Sequence, residues 1–146
     1  MKRIAIIVNA FGGSTTSLAE AFLNQGYKVD FYHLIPRKKN ASFETFDLSL
    51  RGGLFSIVPV RSFDYDGLRR FIPFARNKYF SMYQISVVEL SSMGIRCFIN
   101  PILVLYYVKL ARRIVKQKYD FVNVIGQNKS TAFLSVILRS KGVNVV

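Results

Sequence analysis

Histidine and cysteine are almost absent from this chain: its 146 residues include one of each, His33 and Cys97, and no tryptophan. One cysteine excludes an internal disulfide framework and a thiolate metal cluster, and it fits a reducing compartment. One histidine argues against a histidine-built metal centre and against a histidine-dependent hydrolase triad. No metal is therefore expected. Acidic residues are scarce as well, 8 against 21 Lys and Arg, which leaves a net charge of +13. No apolar run approaches the ~20 residues of a bilayer-spanning helix, and the run after Lys2-Arg3 is too short for a signal peptide.

What is present is apolar material, 51% of the residues, enough to fill the core of one domain of this length. The basic excess is uneven. Residues 61 to 118 hold eleven Lys or Arg against Asp64, Asp66 and Glu89, and they are rich in Phe, Tyr and Ile. That mixture points to nucleic acid or to an anionic membrane surface, with a well-solvated basic face as the plain alternative. Within it, Arg69, Arg70, Arg76 and Lys78 accompany Phe71 and Phe74. An interfacial helix over Arg61 to Tyr83 would lay rings into the acyl boundary and cations against lipid phosphates. The same rings would equally serve as core.

Periodicity orders the chain. Lys2 to Val8 reads as a strand buried on both faces, Asn9 to Ser14 as a glycine turn, and Thr15 to Gln25 as a helix stopped by Gly26. Ser17 and Glu20 have the spacing of a capping box. Tyr27 to Leu34 is a second strand, and Leu54 to Val60 a third, ended by Pro59. Residues 78 to 93 read as a further apolar helix. The clearest helix covers residues 101 to 118, with Asn100 as N-cap and Pro101 in its first turn. Its stretch from Ile102 to Val108 is apolar all round and is expected to be buried, whereas Lys109, Arg112, Arg113 and Lys116 share one face. Tyr119 to Gly126 is a fourth strand, Ser130 to Ser140 a helix, and Val143 to Val146 the start of a fifth strand. The expected architecture is α/β: a Rossmann-like three-layer domain with a mainly parallel sheet and helices on both faces. The ending at Val146 reads as the front part of a longer protein.

The order of these pieces resembles the amino-terminal domain of GT-B glycosyltransferases, particularly the retaining family 4 type. The matching parts are Ile4 to Val8, Gly12-Gly13, Leu18 to Gln25, Gly26-Tyr27-Lys28-Val29, Lys118 to Gly126, Thr131 to Leu138 and Gly142 to Val146. Asn123 and Ile125 stand where that family carries histidines near the end of the fourth strand, so no catalytic residue is assigned. The resemblance implies that residues 1–146 are one Rossmann-like domain, half of a GT-B fold, whose partner is a carboxyl-terminal GT-B domain. It implies an acceptor-binding half that transfers nothing alone and works on a polysaccharide or lipid-linked acceptor; the scarce cysteine and the basic aromatic segment add the expectation of a cytoplasmic domain, peripheral at the inner face of the membrane. The nucleotide-sugar donor would be held by the other domain, so no cofactor is expected on this one.

The residues themselves offer sites for such an acceptor. Gly12 and Gly13 allow close backbone approach, and Ser14 and Thr15 can donate hydrogen bonds beside a helix amino terminus. Gln127 and Asn128 follow the fourth strand on the same edge, where Asn128 would otherwise serve as a cap. His33 and Cys97 read as structural. Two other readings stay open: a non-catalytic, membrane-recruiting half of a two-polypeptide transferase, and a Rossmann-like nucleotide- or nucleic-acid-binding domain. The missing Gly-x-Gly-x-x-Gly and P-loop patterns weigh against the dinucleotide and P-loop forms of the last, and nucleic acid is not the expected partner.

Overall fold

The computed structural model of the chain describes residues 1–9, 13–36, 57–60, 77–87, 101–126 and 129–146. They form strands β1 (Arg3–Val8), β2 (Lys28–Pro36), β3 (Ile57–Val60), β4 (Phe80–Val87) and β5 (Phe121–Ile125), with helices α1 (Gly13–Asn24), α2 (Pro101–Lys116) and α3 (Lys129–Ser140). The sheet order is β3-β4-β2-β1-β5. Strands β4, β2, β1 and β5 are mutually parallel, and β3 closes one edge antiparallel to β4. This is a Rossmann-like α/β fold.

Strand alternation sorts the core into two layers. Ala5, Ile7, Tyr32, Leu34 and Ile85 pack with Tyr107, Leu110, Ala111 and Ile114 of α2 and with Leu134, Ile137 and Leu138 of α3. Ile4, Ile6, Val8, Val29, Phe31 and Met82 face the other way, with Ala19 and Leu23 of α1. Apolar residues on both faces are what a covered parallel sheet requires. Both α1 and α3 end at a glycine in the left-handed region, Gly26 at φ 81° and Gly142 at φ 77°. The amides of Tyr27 and Val143 then reach back to the carbonyls of Phe22 and Leu138 and satisfy the helix ends.

Several expectations are corrected. Residues 80–87 form a strand between β2 and β3, not a helix. Phe80, Met82, Tyr83 and Ile85 feed the two opposite layers, and such a doubly buried strand shows no one-sided alternation to reveal it. The interfacial helix consequently does not extend through Tyr79 to Tyr83. Lys78 is exposed in the turn before β4, with its ammonium 4.9 Å from the Tyr79 ring centre, whereas Arg69, Arg70, Phe71, Phe74 and Arg76 lie outside the described residues. Because α1 begins at Gly13, Ser17 is already inside the helix and cannot be its N-cap. Pro59 lies within β3 rather than ending it, which an edge strand permits. Leu105 is 54% exposed, so α2 is not buried all round. The terminal strand is a single parallel bridge from Val145 to Val122.

At the amino end of the sheet a polar cluster ties three segments together. Asp30, with no exposed surface, accepts hydrogen bonds at one oxygen from Arg3 Nε (3.0 Å), from Arg3 Nη2 (2.5 Å) and from the Tyr119 hydroxyl (2.6 Å). Arg3 also donates to the carbonyl of Gln117 (3.2 Å), and its backbone amide donates to Asp120 (2.6 Å). Because Tyr119 gives its proton to Asp30, the 2.6 Å contact between the Tyr32 and Tyr119 hydroxyls has Tyr32 as donor. Burial raises the Tyr32 phenol to about 12, and burial with the nearby Asp30 and Tyr32 raises Tyr119 as well.

Removing one member of a buried pair costs about 3 kcal/mol or more when the survivor stays buried. Arg3→Met strands the Asp30 carboxylate, whereas Asp30→Asn leaves a guanidinium that is 28% exposed and can rehydrate. Urea unfolding is expected to show Arg3→Met as the more destabilising of the two. The raised phenols give a second expectation. Folded-state values above the unfolded one near 10 mean that this contribution is complete below that pH and is lost as pH rises through the folded values. Absorbance titration should therefore show a late phenolate step that disappears in a Tyr32→Phe, Tyr119→Phe double variant.

Candidate functional site

The chain leaves β1 on one side, through α1 to β2, and returns at β5 on the other side of β1. The strand order thus reverses between β1 and β5, and open α/β sheets bind ligands outside the carboxyl ends of the strands at such a reversal. Val8, near the end of β1, is in register with Ile125 at the end of β5. The turns that follow these two residues accordingly start side by side.

The geometry there is tight. A Cβ on Gly126 would lie 2.7 Å from Thr131 Cγ2, 2.9 Å from Thr131 Oγ1 and 3.0 Å from Asn9 Oδ1. Glycine at 126 therefore lets the end of β5 close against both Asn9 and the first turn of α3. Ser130 and Thr131 are buried in that turn, at 1% exposure each. On the other face of the sheet, Gly13 is the first residue of α1, Ser14 is exposed and Thr15 is buried. Ser14 is the open hydroxyl of the pair. Gly12, Gln127 and Asn128 lie outside the described residues.

His33 is in register with Val8, one strand away on β2, and is half-buried. Burial lowers its pKa, so at neutral pH the ring is uncharged. Asn9, Gly126 and Thr131 were not singled out in the sequence, although a signal existed. Residues that follow neighbouring parallel strands must meet, and Asn9 and Gly126 are the first residues past β1 and β5. What the crevice offers is amide and hydroxyl chemistry at the amino termini of two helices, suited to hydrogen-bonding a ligand. Among the described residues no group of three or more His, Cys, Asp or Glu gathers as a cation site.

The fold has a counterpart among solved structures. The C-terminal domain of a hydrogenase from Pyrococcus furiosus is similar at a TM-score of 0.51 and 12% identity, over 99% of this chain and 88% of that one. At that identity the likeness concerns the fold alone. No protein-family model matches the chain, and no curated protein matches it.

The Gly126 contact can be tested by a double-mutant cycle. Thr131 is β-branched and buried, so it cannot swing away from a new methyl group. Gly126→Ala is expected to cost about 1–3 kcal/mol through overpacking. Thr131→Ala removes both of the nearest clashing atoms, so the double variant should lose less than the sum of the two single losses. Thermal or urea unfolding reads the coupling.

Proposed function

We propose that this chain is the acceptor-binding half of a GT-B glycosyltransferase, acting on a polysaccharide or lipid-linked acceptor with a nucleotide-sugar donor held by a second domain. The observation that carries this reading is the pairing of the β1 and β5 carboxyl ends at the strand-order reversal, with the open Ser14 hydroxyl on α1 and the Asn9–Gly126–Thr131 contact opposite. The Ser14 hydroxyl and the Asn9 amide are groups of the kind that hydrogen-bond a polyol, and the nucleotide phosphates are assigned to the other domain. An acceptor hydroxyl would be oriented there by hydrogen bonds and exposed toward the second domain. Positioning of that kind is a large part of what a two-substrate transferase needs.

Stabilisation of the departing nucleotide is assigned to the other domain, and no side chain of this one is given a role as catalytic base. Cytoplasmic residence, peripheral at the inner face of the membrane, belongs to the same proposal. No helix of the described residues is long and apolar enough to cross a membrane.

The test is assay and mapping together. Purified 1–146 is mixed with UDP-glucose or GDP-mannose and with an oligosaccharide or polyprenyl-phosphate acceptor, and amide shifts are followed by NMR. Acceptor-dependent shifts at Ser14, Thr15, Gly126 and Thr131, with no sugar transfer, are expected. Turnover by this chain alone, or shifts at these amides with nucleotide and none with any acceptor, would overturn the reading.

A further inference from the structure

Away from the crevice, at the opposite end of α2, the molecule has a second concavity. It is a groove of about 400 Å³ lined, among the described residues, by Tyr32, Tyr83, Arg113, Lys116 and Gln117. Arg113, Lys116 and Gln117 belong to the end of α2, which leads into the amino end of β5. The crevice lies at the carboxyl ends of β1 and β5, so the two are separate places. The volume falls in the range of small-molecule sites.

Its chemistry is asymmetric in a way the neighbouring cluster dictates. Gln117 Oε1 accepts from Arg3 Nη2 at 3.3 Å, so the amide nitrogen is the part of that side chain left to donate. Arg113 and Lys116 are exposed cations three residues apart on one helical face. Lys116 has no ion-pair partner among the described residues. The described acids of the polar cluster are committed elsewhere, Asp30 to Arg3 and Tyr119, and Asp120 to the Arg3 amide.

A helix carboxyl terminus contributes only about half an elementary negative charge. The full charge of Lys116 alone exceeds it, and that side of the groove stays positive. On the floor Tyr32 and Tyr83 stack with ring centres 5.1 Å apart and planes at 20°. Tyr32 spends its proton on Tyr119, which in turn donates to Asp30, so the Tyr32 oxygen can only accept from a ligand.

We propose that this groove is a binding site for a small phosphate monoester bearing a hydroxyl group, a polyol or sugar phosphate. Lys116 and the Gln117 amide hold the phosphate, and the Tyr32 oxygen accepts from the hydroxyl. A charged and a neutral donor beside one fixed acceptor match such a ligand and match neither a neutral polyol nor a bare anion as well. The site is independent of the glycosyltransferase reading and stands or falls without it.

The experiment is an NMR titration of the isotope-labelled 146-residue chain with glycerol 3-phosphate, inorganic phosphate and glycerol. Saturable shifts at Tyr32, Tyr83, Lys116 and Gln117 are expected, strongest with glycerol 3-phosphate, weaker with phosphate and absent with glycerol. Loss of a charge-assisted hydrogen bond should make Lys116→Ala bind glycerol 3-phosphate about tenfold more weakly, whereas Lys109→Ala on the same helix leaves binding unchanged. Tyr32→Phe should keep phosphate binding and lose the preference for glycerol 3-phosphate. Because Lys116 is exposed, its variant tests binding without threatening the fold. Absence of saturable shifts, equal effects of Lys109→Ala and Lys116→Ala, or an unchanged preference in Tyr32→Phe would overturn the proposal.

Discussion

A carboxylate with no solvent-exposed surface sits third in the second strand of a parallel sheet, and its neutralisation governs much of the surrounding structure. Asp30 is held by a guanidinium from the first residue of β1 and by a phenol from the residue pair that leads into β5. An unpaired charge at that depth costs several kcal/mol, so the three segments must arrive together. Lys118 adopts a left-handed conformation, φ 54°, in the turn that delivers Tyr119 to this point. A non-glycine residue there costs about 1–2 kcal/mol, a local strain that the convergence on Asp30 offsets. Arg3 also lies 5.0 Å from the Tyr119 ring centre, which adds a cation–π contact to the same convergence.

The two ends of the sheet consequently divide the work. Polar groups at the amino end are largely spent on one another, in bonds that join β1, β2 and the α2–β5 turn. At the carboxyl end the hydrogen-bonding groups belong to helix starts and strand-end turns, beside the reversal of strand order. A fold shared with a hydrogenase domain at 12% identity leaves function to such sites rather than to the architecture. The groove under the end of α2 draws on both ends of this logic. It borrows its acceptor from the buried cluster and its cations from the solvated helix face.

Much of this arrangement was legible in the sequence, and the failures have identifiable causes. β1, α1, β2, α2, β5 and α3 announce themselves through β-branched runs, helical spacing and the stops at Gly26 and Gly142. β4 did not, because Phe80 to Val87 supplies both core layers and an apolar run of that kind fits either a strand or a buried helix turn. The crevice was half legible. Ser14 and Thr15 follow from the glycine turn, but the closeness of Gly126 to Thr131 and Asn9 depends on β1 and β5 being neighbours. Arg3 and Asp30 are 27 residues apart and read as an amino-terminal basic pair and an ordinary strand residue. Their contact follows from strand pairing across β1 and β2, where Asp30 is in register with Ala5.

Amide hydrogen exchange of the wild-type chain and of Arg3→Met tests the dependence on this ion pair most directly. Protection in the wild type should be highest over Ile4 to Ile7, Val29 to Phe31 and Val122 to Val124. In the variant these three strand segments and the turn at residues 117–120 should lose protection together, since they share one buried anchor. Loss confined to the few amides around residue 3, with β2 and β5 unaffected, would contradict the account.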